Sequence, residues 1–320
     1  MEFESFSFHP KLATNLTAAG YITPTPIQAR AIPKVMQGVD VMGLAQTGTG
    51  KTAAFVLPIL QRLLTNRAKG VRALIIAPTR ELAEQIHQAV QTLGKNTGLR
   101  SVPVYGGVAI SPQIKALKGA DIVVACPGRL LDHIRRRTVK LSQLEVLVLD
   151  EADMMFDMGF MPDIRKIIAS LPQAERQTLL FSATMPVEIG RLADTVLSKN
   201  RVNIEIAHEM PLETISHTFF PVAQNLKTSL LLKLLGDTSA GPVLVFTRTK
   251  HRARQLCGKL TKSGFRSTSL QGNLSQSKRR DAMDGFKSGK YQVLVATDIA
   301  SRGIDRSEER RVGKECATGC

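Results

Sequence analysis

The chain has 320 residues, with 43 lysines and arginines against 27 aspartates and glutamates, a formal net charge of +16. That length allows about two ordinary domains, and that charge favours a polyanionic partner. No apolar run approaches the roughly 20 residues of a membrane span, and the start, Met1-Glu2-Phe3-Glu4, lacks the basic-then-apolar layout of a secretion signal.

Cys126, Cys257, Cys316 and Cys320 form no Cys-x-x-Cys pair, which argues against disulfide and zinc frameworks. The expectation is a cytoplasmic protein. Residues 3–36 read as helix, interrupted by Pro10 and by Pro24 and Pro26 in a loop. There Gln28 offers a donor and an acceptor in one planar amide, suited to an adenine edge. Tyr21 and Phe3 offer rings to stack on or pack around a base. Taken singly, Gln28 is equally a helix-start residue and Phe3 a core anchor.

Residues 41–45 are an apolar run of the kind a buried parallel strand shows, and a helix runs from Thr52 to about 64. Between them stands Gln46-Thr47-Gly48-Thr49-Gly50-Lys51. Gly48 and Gly50 let the backbone take positive φ and bring amides close to a phosphate. The helix aims its positive end at the same point. Lys51 can reach the β- and γ-phosphates, and the Thr52 hydroxyl is placed to ligate Mg²⁺. Ala45 stands where the general pattern has glycine. Strand, Gly-Lys-Thr and helix together point to a nucleoside triphosphate site.

Further strands follow at 73–77, 101–105, 121–125, 146–149 and 178–181. They end respectively at Pro78-Thr79-Arg80, Gly106-Gly107, Cys126-Pro127-Gly128-Arg129, Asp150-Glu151-Ala152-Asp153 and Ser182-Ala183-Thr184. Residues 207–221 read as a linker, after which the alternation restarts. A helix at 228–235 is followed by strands at 243–246, 267–270 and 293–296, with helices between them, the second at 276–286. This order predicts an α/β fold with mainly parallel sheets and ligand sites at the carboxyl ends of strands.

Two kinds of chemistry gather at those ends. Asp150 is assigned to the metal shell, partly through water, and Glu151 to orienting or deprotonating the attacking water. Asp153 is in reach of the 182–184 turn, a link between nucleotide state and nucleic-acid grip. The other motifs pair a tight backbone with hydroxyl, amide or guanidinium donors. Such groups hold phosphate oxygens without reading base edges, which predicts sequence-tolerant binding.

As an ordered set, residues 20–28, 45–52, 78–82, 127–129, 150–153, 182–184, 243–250 and 296–305 resemble the DEAD-box RNA helicases. The resemblance covers roughly residues 3–305, and the wording at 157–160 and 247–250 is most similar to the bacterial RhlE-type subgroup. In that family Ala45 is usual. The resemblance implies tandem RecA-like domains at 1–208 and 222–305, the second incomplete, joined by a linker at 209–221 and followed by an atypical tail at 306–320. It implies ATP and Mg²⁺ as cofactors, and binding and local unwinding of RNA driven by ATP hydrolysis. The implied partner is RNA, with ribosome-assembly or RNA-decay proteins as further candidates for a monomeric enzyme.

Residue by residue, Phe3, Tyr21 and Gln28 map onto adenine recognition. Gln46, Thr47, Gly48, Thr49, Gly50, Lys51 and Thr52 map onto the phosphates and metal. Lys51, Asp150, Glu151, Ser182 and Thr184 map onto catalysis. Pro78, Thr79, Arg80, Gly106, Gly107, Pro127, Gly128 and Arg129 map onto RNA contacts in the first domain, and Thr249, Gln276, Arg279 and Thr297 onto those in the second. Asp305 maps onto a ribose contact and Arg302 onto domain closure. Cys126 stands where threonine is usual, and Met154 where arginine is common.

Beyond Asp305 the family's arginine-rich segment is replaced by Arg306 to Cys320. An arginine finger is worth about 10³–10⁵ in turnover, so this chain is expected to bind ATP but hydrolyse it poorly. Its second sheet is expected to be partly uncovered. A DNA helicase or translocase and a nucleotide-gated RNA clamp are the alternatives.

Overall fold

Two of the prolines that interrupt the N-terminal pattern, Pro10 and Pro26, start helices, where a missing N–H leaves no hydrogen bond unmade, while Pro24 stays in the loop. After a 3-10 turn at Phe3–Phe6, Pro10 opens α1 (Pro10–Ala18) and Pro26 opens α2 (Pro26–Met36). The structure, a computed structural model, describes residues 2–66, 68–172, 176–206, 218–237 and 241–297, which fall into two units.

In the first unit β1 (Val41–Leu44) leads to α3 (Lys51–Thr65), β2 (Ala73–Ile76) to α4 (Arg80–Leu93), and β3 (Ser101–Val104) to α5 (Ile110–Leu117). Next come β4 (Ile122–Ala125), α6 (Pro127–Arg135), β5 (Val146–Leu149), α7 (Ala152–Asp157) and α8 (Met161–Ser170). The unit closes with β6 (Gln177–Ser182), α9 (Val187–Val196) and β7 (Val202–Glu205). These strands form one parallel sheet in the order β3-β4-β2-β5-β6-β1-β7.

β2, β4 and β5 are buried along their whole length, as parallel strands covered on both faces must be. Their side chains alternate between two cores. Ile75, Val124 and Val148 join Phe55, Leu57 and Phe181 on one face, while Leu74, Ile76 and Leu149 join Ile164 and Leu192 on the other. Gly43 in β1 makes room for the Phe181 ring, which a Cβ there would overlap. β7 was not expected from the sequence. It lies at the sheet edge beside β1, and of its residues only Ile204 is buried, so it carries no continuous apolar run.

The second unit contains α10 (Lys227–Asp237), β8 (Val243–Thr247), α11 (Lys250–Lys262), β9 (Ser267–Leu270), α12 (Gln276–Lys287) and β10 (Val293–Thr297). The strands are parallel in the order β8-β10-β9, with Val293 to Ala296 of the central β10 fully buried. Among the described residues β8 is an edge strand, and Phe246 on it is 49% exposed. Most of the stretch read as a linker, together with Arg302, Asp305 and the 306–320 tail, lies outside the described residues.

Candidate nucleotide and nucleic-acid site

The glycines of the loop after β1 are demanded by its path. Gly48 and Gly50 have φ of 85° and 91°, the left-handed region that costs other residues strain. A Cβ on Gly50 would also collide with the Gln28 amide. Lys51 is the first residue of α3, and its side chain is 5% exposed. Its Nζ lies 2.7 Å from Glu151 Oε1, and the Thr47 hydroxyl donates to the same oxygen at 3.0 Å. Two buried opposite charges are thereby matched, which avoids the heavy cost of either one alone. The Thr49 hydroxyl donates to the Gln46 carbonyl at 2.7 Å, closing the loop on itself. Thr52 follows in the first turn, half-buried.

β1 and β5 are not neighbours, since β6 lies between them, yet their carboxyl ends converge through this contact. The chain leaves β5 sharply. Asp150 is buried, and Glu151 has a φ of 53°, a strained conformation for a residue with a side chain. Asp150 Oδ1 accepts the Glu151 N–H at 3.1 Å. Burial pushes the Asp150 carboxyl up to about 7, with the Lys51 cation opposing and Glu151 adding to the rise. Cation, hydroxyl, two carboxylates and a glycine-shaped loop form a donor set that fits a magnesium-bound triphosphate.

The Gln28 amide ties the N-terminal segment to this loop. Its Oε1 accepts the Thr25 N–H at 2.9 Å, and its Nε2 donates to the Gly50 carbonyl at 3.0 Å. Phe3 is buried, edge-on to the half-buried Tyr21 at 5.6 Å between ring centroids. Phe3 thus packs against Tyr21, whose ring is partly exposed.

The contact expected between Asp153 and the 182–184 turn is present. Its Oδ2 accepts both the Thr184 N–H (2.9 Å) and the Thr184 hydroxyl (2.8 Å). The Ser182 hydroxyl accepts the Asp153 N–H at 3.2 Å and donates to the Thr184 carbonyl at 2.7 Å. Burial alone would raise the Asp153 carboxyl, but these bonds from Thr184 and Ser182 hold it below its ordinary value.

Around the same sheet edge lie the other motifs. Pro78 and Thr79 are buried after β2, and the Thr79 hydroxyl caps α4 by accepting the Leu82 N–H at 3.2 Å. The Arg80 guanidinium lies against Gly107, whose φ is 78° and where a Cβ would overlap it; Gly106 beside it is half-buried. Pro127 opens α6, leaving Gly128 exposed in its first turn. Arg129 is only 13% exposed, and both its Nη atoms donate to the Val108 carbonyl at 3.0 Å. Its side chain thus braces a neighbouring loop instead of pointing into solvent. Two residues that the sequence did not single out, Gln113 and His133, share this brace. Burial, with Arg129 adding, pushes the His133 imidazole below its ordinary value, so it is neutral.

In the second unit Thr249, Gln276 and Thr297 follow or close strands at the carboxyl edge of the smaller sheet. The Thr249 hydroxyl caps α11 by accepting the Arg252 N–H at 3.3 Å. Arg279 is buried and donates to the Gln271 carbonyl at 3.1 Å.

The chain matches the family described as DEAD/DEAH box helicase over residues 25–192, and the helicase conserved C-terminal domain over 226–314. It is 42% identical over 306 residues to the DEAD-box ATP-dependent RNA helicase CshA of Bacillus cereus, covering 95% of this chain and 58% of that protein. It is 44% identical over 309 residues to CshA of Streptococcus pneumoniae, covering 96% and 58%. It therefore spans 58% of the length of these curated relatives. These relatives carry the CshA name and do not confirm the RhlE-type subgroup.

Among solved structures, a DEAD box protein from Methanococcus jannaschii is 38% identical with a TM-score of 0.62, over 95% of this chain and 82% of that one. S. cerevisiae Dbp5 bound to RNA and ADP BeF3 is 31% identical with a TM-score of 0.83, over 95% and 77%. Their likeness makes the α/β architecture a tandem RecA-like one. With the loop, the acidic strand end and the ordered motifs in place, the chain belongs to the DEAD-box helicase family.

Proposed function

We propose that this chain uses ATP and Mg²⁺ to hold single-stranded RNA by its backbone and to separate RNA duplexes locally. The observation that carries the reading is the 2.7 Å Lys51–Glu151 pair beside buried Asp150 at one sheet edge. Bound ATP and Mg²⁺ supply an activated γ-phosphoryl group, with Thr52 and Asp150 as the groups that hold the metal shell and 46–52 as the phosphate cradle. Lys51 then exchanges Glu151 for a phosphate oxygen, and the Glu151 carboxylate turns to the attacking water and its proton. Gln28 faces the adenine edge from its seat on the Gly50 carbonyl. Asp153 holds the Ser182–Thr184 turn, so a shift in the β5 end reaches the β6 end directly.

Thr79, Arg80, Gly107 and Gly128 sit at strand ends of the same sheet and supply hydroxyl, guanidinium and backbone donors to phosphates, with Arg129 contributing by holding the Val108 loop, supported by the RNA in the Dbp5 structure. Phosphate release with single-stranded RNA and with DNA of the same sequence tests the reading. Stimulation by RNA alone is expected, at the low turnover anticipated where Arg306 to Cys320 replace the arginine-rich segment. Equal stimulation by DNA would return the DNA helicase or translocase, since only the 2′-OH separates the two ligands. No stimulation by either, with RNA still bound in the presence of nucleotide, would return the clamp.

A further inference from the structure

The Gln113 amide, in α5, is buried where three pieces of the first unit meet. Its Nε2 donates to the Tyr105 carbonyl at 3.0 Å, at the end of β3 just before Gly106-Gly107. Its Oε1 accepts from Arg129 Nη1 at 3.4 Å and lies 3.2 Å from His133 Nε2, both on α6. With His133 neutral and Nε2 carrying the proton, Nδ1 is left to face the Thr138 hydroxyl at 2.8 Å. The same Arg129 reaches across to the Val108 carbonyl with both nitrogens. One amide thus fixes how the Gly106-Gly107-Val108 loop is held relative to the first turn of α6. Gly107 in that loop and Gly128 in that turn are both exposed.

We propose that Gln113 is a positioning residue for RNA, which sets the spacing of the Gly106–Gly107 and Gly128 phosphate donors through Arg129 without touching RNA itself. This rests on the RNA reading above. The reason is geometric. Phosphate groups along a strand have a fixed spacing, so donors on separate loops bind together only if the loops are held in register. None of these hydrogen bonds involves residues 46–52, so nucleotide affinity should not follow.

The test is a double-mutant cycle on the full chain, reading the affinity for labelled single-stranded RNA with an ATP analogue present, and nucleotide affinity separately. Gln113→Leu removes every hydrogen bond at similar bulk, and is expected to weaken RNA binding about tenfold and to leave nucleotide affinity in place. Added to Arg129→Ala, it should weaken RNA binding little further. Gln113→Glu keeps the acceptor used by Arg129 and His133 but loses the donor to the Tyr105 carbonyl, so it should recover only the part of the loss that runs through Arg129; it also serves as the test variant if the leucine protein does not fold. RNA binding by the leucine variant equal to the unsubstituted chain, a parallel loss of nucleotide, additivity with Arg129→Ala, or a glutamate variant as weak as the leucine one would each overturn the role of Gln113 alone. An unsubstituted chain that binds no RNA would defeat the RNA reading and this inference with it.

Discussion

At the residue scale the decisive contact is Lys51 with Glu151. Both side chains are 5% exposed, so each charge depends on the other in the absence of nucleotide. Lys51→Ala leaves the Glu151 carboxylate buried with only the Thr47 hydroxyl and whatever water can enter. Removal of one member of a buried pair typically costs about 3–5 kcal/mol. The expected result is a chemical denaturation midpoint well below that of the unsubstituted chain without nucleotide, in addition to lost nucleotide binding. Glu151→Gln in the same chain should recover most of that stability and none of the binding. A midpoint unmoved by Lys51→Ala would mean the pair does not form. The residue types and their order were legible because the phosphate loop needs glycines at fixed places and the metal needs a carboxylate at a strand end. That Glu151 first serves Lys51 was not legible, because it depends on the approach of β1 and β5 past β6.

At the element scale, the strands most plainly legible are those buried on both faces, where an apolar run such as Val146 to Leu149 cannot be mistaken for a loop, although the half-covered β3, β8 and β9 were expected as well. β7 escaped because an edge strand needs only one buried residue, Ile204. α5 and α6 hold polar side chains that look in sequence like surface residues. Gln113 and His133 are buried only because these two helices and the end of β3 come together.

His133 makes that burial measurable. Its pKa is lowered from 6.5 in the folded chain, so below about 6.5 the unfolded chain binds a proton that the folded one does not. Stability from this site is therefore fully present above about pH 6.5 and is lost as pH falls below it. Urea midpoints at about pH 7.5 and 5.5 should show the unsubstituted chain losing more stability on acidification than His133→Asn. Equal losses would mean that His133 takes up its proton in the folded chain as readily as in the unfolded one.

At the scale of the whole molecule, the positive charge and the strand-end motifs agree on a polyanion held by its backbone. Such binding should weaken steeply as salt rises, since phosphate contacts release counterions. The two units each carry hydroxyl and guanidinium groups at the carboxyl edge of a parallel sheet, a recurrence that alternating strands and helices made legible twice over. Among the described residues no helix is long and apolar enough to cross a membrane. The central claim is that one site gates the other: nucleotide at Lys51 controls the grip on RNA. Fluorescence anisotropy of a labelled single-stranded RNA, titrated with the full chain with and without a non-hydrolysable ATP analogue and Mg²⁺, tests it most directly. Tighter RNA binding with the analogue, lost in Lys51→Ala, is the predicted result; an RNA affinity indifferent to nucleotide would contradict the account.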